Sequence, residues 1–334
     1  MNIHISIISD SQVWDRFVDE SPYGTIFHKW DFLRTVEKHT GCELYPLGFY
    51  ITEELICIIP LFLKKVKGVR MVFSPPPQTA IPCLGFVLSP RCDVMNQSKK
   101  SMHMYDMGKL FAEEIDRMNA NYVSIVLTPM FSDIRPFKWN GFMIDPLTVF
   151  MIDLRRPLDD ILRSFSSSRK DKVKKLDRYD LKLVESNDLS LFYDSSVERY
   201  KEQGIKFPVA NKEYLEELHS LYPEGVKMYY IHDSKGDSLG SLMTVEYKRM
   251  TMWIGNVKPN NNVPVNEFLY WELIKKGKSK GYNLLELGGA DVPSIAVFKA
   301  QFNPSLRVKY RLVKKDTIGK MAEWMFFNIY KKST

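Results

Sequence analysis

Lys299 is the residue whose setting calls for chemistry. It stands beside Phe298 and among Ala296, Val297 and Ala300, in a short segment that follows a strand-like run ending at Gly288 and Gly289. Attack on a carbonyl carbon passes through a tetrahedral intermediate whose oxygen becomes negative. A pre-positioned cation in a dry site stabilises that charge, and one good donor is worth roughly 3 to 4 kcal/mol. The bland alternative is that the lysine runs its ammonium out to solvent from a short helix. Asp291, just past the two glycines, falls where ligands meet the strand ends of an α/β sheet. It would either orient or deprotonate an attacking amine, or cap the helix that begins at "PSIAVFK".

A second candidate is the run "RSFSSSRKDKVKKLDRYDLK", in which Arg163, Arg169, Lys170, Lys172, Lys174, Lys175 and Arg178 outnumber the acids. Charge runs usually form solvated helix faces, but this one also suits a phosphate-bearing substrate or an RNA backbone. The net charge of +7 biases the whole chain the same way, toward anionic partners. Tyr200, Tyr270 and Trp271 lie on apolar helical stretches and serve either as core or as the walls of a site. Competing chemistries find no support, since the chain has no G-x-S-x-G, no P-loop and no metal-spaced histidine pair. Cys42, Cys57, Cys83 and Cys92 form no C-x-x-C pair, so reduced structural thiols are expected and a zinc site is not.

These residues need elements to hold them. With 45% hydrophobic and 26% charged residues, the chain has a globular composition, and 334 residues suggest two domains. With no leader-like start and no run of roughly 20 apolar residues, a cytoplasmic location is expected. In the second half, helical stretches over 190–203 and 212–221 precede three strand-like runs, "VKMYYIHD", "SLGSLMTVEY" and "MTMWIGNV". A helix over 265–280 stops at Gly281, and then come the strand "NLLELGG", a helix over 294–300 and the strand "RVKYRLV". The order is α-α-β-β-β-α-β-α-β, and the first half repeats it more loosely. The expected fold class is therefore α/β with mixed sheets, in two related tandem domains over 1–147 and 148–334.

Five segments in this order, "SPYGTIFHKWDFLRTV", "SSSRKDKVKK", "YKEQGIKFP", "VNEFLYWELIKKGKSKGYNLLELGGAD" and "FKAQFN", give the chain a resemblance. It resembles the FemABX-type peptidyltransferases and BioF2-like N-acyltransferases of the GNAT superfamily over nearly its whole length. That resemblance implies two GNAT-like domains with a cleft between them, and transfer of an amino acid from aminoacyl-tRNA to an amine on a cell-envelope precursor. It implies that Lys299 stabilises the reacting carbonyl as the lysine of a Phe-Lys motif with Phe298. Arg34 would meet the acceptor's phosphate or carboxylate, and Lys170, Lys172 and Lys175 would line the cleft on a basic helix. The long helical arm that some relatives insert in the second domain is missing.

The donor has two readings. An acyl-CoA enzyme cradles pyrophosphate on a glycine-rich loop at a helix start. Here that place reads "VKPNNNVPVNEFLYW", without glycine, although Asn266 is well placed at the helix start. Aminoacyl-tRNA is thus the expected co-substrate, acyl-CoA the alternative, and no tightly bound cofactor is expected. From another class, the chain would be a non-catalytic module that binds RNA or an envelope precursor. The C-terminal "IGKMAEWMFFNIYKK" would either dock on its own domain or touch a membrane bearing a lipid-linked acceptor.

Overall fold

The computed structural model describes residues 3–258, 260 and 262–325. The chain forms two compact units: Met1–Pro146 with the stretch from Lys309 onward, and Leu147–Val308. Unit 1 opens with β1 (Ile3–Ile7), α1 (Ser11–Glu20), α2 (Trp30–Thr40), β2 (Glu43–Ile51), β3 (Glu54–Val66) and β4 (Val69–Ser74). It continues with β5 (Val87–Leu88), α3 (Arg91–Val94), α4 (Gln97–Arg117), β6 (Tyr122–Val126), α5 (Arg135–Trp139) and the start of β7 (Met143–Asp153). Local chemistry sets the boundaries. The Asp10 carboxylate accepts the Gln12 and Val13 amides at the start of α1, and α2 stops at Gly41, whose left-handed φ of 63° suits glycine. The core of this unit is aromatic, with the Phe86 ring 4.9 Å from Phe111 and 5.0 Å from Phe137.

Unit 2 runs through α6 (Leu158–Ser164), α7 (Ser167–Lys174), β8 (Lys182–Glu185), α8 (Leu189–Glu202), α9 (Lys212–Leu221), β9 (Val226–His232), β10 (Ser238–Glu246) and β11 (Met250–Gly255). Then come α10 (Val265–Ser279), β12 (Leu284–Gly289), α11 (Pro293–Ala300) and the start of β13 (Ser305–Lys315). Its core gathers Ile152, Leu154, Leu269, Leu273, Leu285, Leu287 and Phe302. Gly277 lets α10 lie close, because a Cβ there would come within 2.8 Å of Leu154 Cδ1.

The two units share one plan. In unit 1, β1 to β4 pair antiparallel in succession, β6 joins β4 in parallel after the α4 crossover, and Arg311–Lys315 of β13 pairs antiparallel with β6. In unit 2, β8 to β11 pair antiparallel in succession, β12 joins β11 in parallel after the α10 crossover, and β7 pairs antiparallel with β12. The element order read from the sequence is present, with the additions β4, β5 and α3 in unit 1 and β8 in unit 2. All four are short, which leaves little hydrophobic periodicity to read.

In unit 1 the final helix, α12 (Thr317–Met325), begins where Asp316 caps Gly319 N at 2.8 Å, and Gly319 packs on the Asn121 carbonyl. Residues of "IGKMAEWMFFNIYKK" from 326 onward lie outside the described residues, as do Pro259 and Asn261 of the asparagine-rich loop. Among the described residues, no helix is long and apolar enough to cross a membrane.

Candidate active site

Within unit 2 the parallel strands β11 and β12 pair at only two positions, Met250 with Leu285 and Thr251 with Glu286. Beyond them β11 stays with β10 as far as Gly255, and β12 turns to β7 across an irregularity between Glu286 and Gly289. The two strands therefore part, and backbone groups that a regular ladder would use are left for other partners. Gly288 sits at this parting with φ of 77°, a conformation that disfavours any side chain. A Cβ there would lie 3.6 Å from Lys299 Nζ and 3.7 Å from the Met252 carbonyl.

Lys299 comes from the last turn of α11 and folds back onto the end of β12, where its Nζ donates to the Gly289 carbonyl at 2.9 Å. It does not run out to solvent. Burial pushes the ammonium down from the ordinary lysine range to about 8, while the field of Glu286 works the other way. An ammonium has three donors, so the bond to Gly289 leaves two for a ligand.

An aromatic wall supports α11. Phe298 meets Tyr270 edge-on at 5.7 Å and Phe302 at 5.4 Å, and Tyr270 stacks on Phe302 at 4.5 Å. Tyr270 is buried, and burial raises its hydroxyl pKa. The Arg169 guanidinium lies 4.7 Å above the Phe298 ring, a contact that favours a cation over a π face. Arg169 also donates to Gln301 Oε1 at 2.8 Å and pairs with Glu267. Lys172 reaches the same Glu267 carboxylate at 2.9 Å. Two cations of the basic run are thus spent on one buried acid in α10, and they tie α7 to the aromatic wall.

The remaining candidates have distinct places. Asp291 does not cap α11, whose first turn has no side-chain cap. Its Oδ1 instead accepts Thr148 N at 3.0 Å and Thr148 Oγ1 at 2.8 Å, while Ala290 N donates to the Thr148 carbonyl at 3.1 Å. The acid therefore fixes the chain leaving β12 against β7. Lys170 is half-buried on α7, and Lys175 is exposed just after that helix. Tyr200 is on α8, edge-on to Phe207 at 5.1 Å. Asn266 is half-buried in the first turn of α10, a helix start with no side-chain cap. Arg34 belongs to unit 1, where it is 58% exposed and pairs with Glu37 on its own helix. A hollow of about 450 Å³ opens beside α7 and α10, lined by Leu162, Val173, Lys174, Trp271 and Lys275 among others. It includes neither Lys299 nor Asp291.

Two acids went unread in the sequence, although each carried a signal. Glu267 in "VPVNEFLYW" and Glu286 in "NLLELGG" are single carboxylates inside apolar runs, and a buried charge demands a partner. Glu267 finds Arg169 and Lys172, and Glu286 finds Arg249, whose Nε donates to Oε2 at 3.1 Å.

Residues 163–299 match the family model "Acetyltransferase (GNAT) domain", a span that ends on Lys299. No curated protein matches the chain. Among solved structures, FemX shares the fold with a TM-score of 0.67 at 11% identity, over 92% of this chain and 96% of that one. L-PGS from Bacillus licheniformis follows the same course with a TM-score of 0.55 at 12% identity, over 92% of each chain. A tandem GNAT protein from the clavulanic acid biosynthesis pathway does so with a TM-score of 0.53 at 10% identity, over 94% of this chain and 98% of that one. At these identities the likeness is one of fold. Residues 163–299 thus match a GNAT-type acetyltransferase domain, and the chain as a whole shares the fold of these proteins.

Proposed function

We propose that this protein is a Fem-type N-acyltransferase that moves an aminoacyl group from aminoacyl-tRNA to a primary amine of a cell-envelope precursor or polar small molecule. The observation that carries the proposal is Lys299: a half-buried ammonium, anchored to the Gly289 carbonyl and facing the parting of β11 and β12. The acceptor nitrogen attacks the ester carbonyl carbon, and the carbonyl oxygen gains the negative charge. Lys299 donates to that oxygen through a proton not used by Gly289. Collapse forms the amide bond and breaks the bond to the ribose oxygen, which takes up a proton as the amine loses one. Asp291, anchored through Oδ1 to Thr148, offers its other oxygen to the acceptor amine. Tyr270 and Phe298 wall the site. Lys170 and Lys175 supply positive charge for phosphate groups of the donor or acceptor, and Lys172 does so while held by Glu267.

One observation favours acyl-CoA as the donor instead. The parting of β11 and β12 beyond two paired positions suits an extended, amide-bearing chain that hydrogen-bonds as a strand would. On the other side, Asn260 Oδ1 accepts the Asn262 and Val263 amides of its own loop at 2.9 and 3.1 Å. Those two amides are then taken and do not face a pyrophosphate. The deciding experiment is a paired titration, at fixed salt, of the full-length protein with charged aminoacyl-tRNA and separately with acetyl-CoA. Saturable binding of the tRNA with no response to CoA supports the Fem-type reading. Binding of CoA alone replaces it with an acyl-CoA enzyme, and steep salt-dependent RNA binding without transfer to any amine makes the chain a binding module.

A further inference from the structure

Glu286 has no part in the scheme above, yet its surroundings are unusual. It is 1% exposed on β12. One oxygen, Oε2, accepts from Arg249 Nε at 3.1 Å, while the other, Oε1, is sealed from solvent with no hydrogen-bond partner. A buried acceptor left unsatisfied costs about 1 to 3 kcal/mol, so such an atom asks for an explanation. Two residues along the same strand is the place of a cation. There Gly288 makes room for Lys299 Nζ, and at the next residue the Gly289 carbonyl takes one of its protons.

The charged groups around Lys299 divide by element. From β12 comes Glu286; from the segment before β11, Arg249, already held by Glu286. From the exit of β12 comes Asp291, held by Thr148. From α7 come Arg169 and Lys172, and from α10 comes Glu267, the three already paired together. Of these acids, Glu286 is the one with an oxygen that is both buried and without a partner.

We infer that Glu286 is a positioning residue for Lys299: its unpaired carboxylate oxygen keeps the lysine charged and drawn toward the end of β12, ready for the carbonyl oxygen of a substrate. The inference deepens the reading of Lys299 given above and rests on it. The direction of the electrostatics agrees, since burial disfavours the ammonium and Glu286 opposes that effect. Arg249 moderates the arrangement by neutralising part of the carboxylate.

The test reads the charge of Lys299 directly, in the full-length protein and without any transfer assay. Acylation of Lys299 by acetic anhydride is followed against pH by mass spectrometry of its peptide, with exposed lysines as internal standards. In the native protein the midpoint should lie near 8. In Glu286→Gln it should fall by about one unit, making Lys299 about fivefold more reactive at pH 7, and Glu286→Asp should restore most of the shift. Arg249→Gln should move the midpoint upward, which keeps the idea testable if Glu286→Gln does not fold. An unmoved midpoint in a folded Glu286→Gln or Arg249→Gln protein overturns the inference. Failure of the transfer reading would show up separately, as undiminished turnover in Lys299→Ala whatever the labelling gives.

Discussion

At the scale of the residue, the proposed transfer turns on the state of one ammonium. If Lys299 stabilises an oxyanion, Lys299→Ala should lower turnover by about 10²- to 10³-fold, the loss expected for one such donor. Its circular dichroism and thermal unfolding should stay close to those of the parent, because α11 buries none of its residues fully. The same lysine sets a pH limit. Burial lowers its pKa to about 8, so the charged form is present below that value and lost above it. The turnover rate under saturating donor and acceptor should therefore decline as pH rises through about 8, an alkaline limb that Lys299→Ala should lack. A rate still rising through pH 9 would give Lys299 the role of a base instead.

At the scale of the element, the basic helix α7 is held by what it carries. Glu267 is 5% exposed on its side chain and Arg169 15%, so removing Glu267 leaves the guanidinium largely buried and without its acid. Glu267→Ala should destabilise the protein by about 3 kcal/mol in urea unfolding. Arg169→Met combined with Glu267→Leu should recover most of that loss, since a well-packed apolar pair avoids the desolvation cost altogether. A double variant as unstable as Glu267→Ala would mean that the Arg169 contacts with Phe298 and Gln301 matter more than the ion pair. The basic run thus combines two roles that its composition does not separate. Arg169 and Lys172 tether α7 through Glu267, and Lys170 and Lys175 make no such contact with it.

At the scale of the whole molecule, each unit closes its sheet with a strand out of sequence order. In unit 1 that strand is β13, which pairs with β6 from Arg311 to Lys315 and buries Leu312 and Val313 fully. A fragment of residues 1–146 should therefore lack cooperative unfolding and aggregate through the open edge of β6. Residues 305–325 joined to it by a flexible linker should restore a cooperative transition in calorimetry. Cooperative unfolding of the bare fragment would show that the rest of the sheet suffices without its closing strand.

Much of this was legible in the chain itself. Helices and strands announce themselves through periods of 3.6 and 2, so the order α-α-β-β-β-α-β-α-β and the short helix carrying Lys299 are local properties. Lys299 itself was visible as a lone cation among apolar neighbours. What only the tertiary structure decided is who meets whom across long separations. Asp291 bonds to Thr148 at a distance of 143 residues along the chain, and Arg169 meets Glu267 across 98. No local periodicity encodes such pairings, because they depend on where the crossovers of the sheet deliver each element. The same holds for the parting of β11 and β12 and for the unpaired oxygen of Glu286. A strand pattern tells that a residue is inside, but packing alone decides whether the buried group finds a partner.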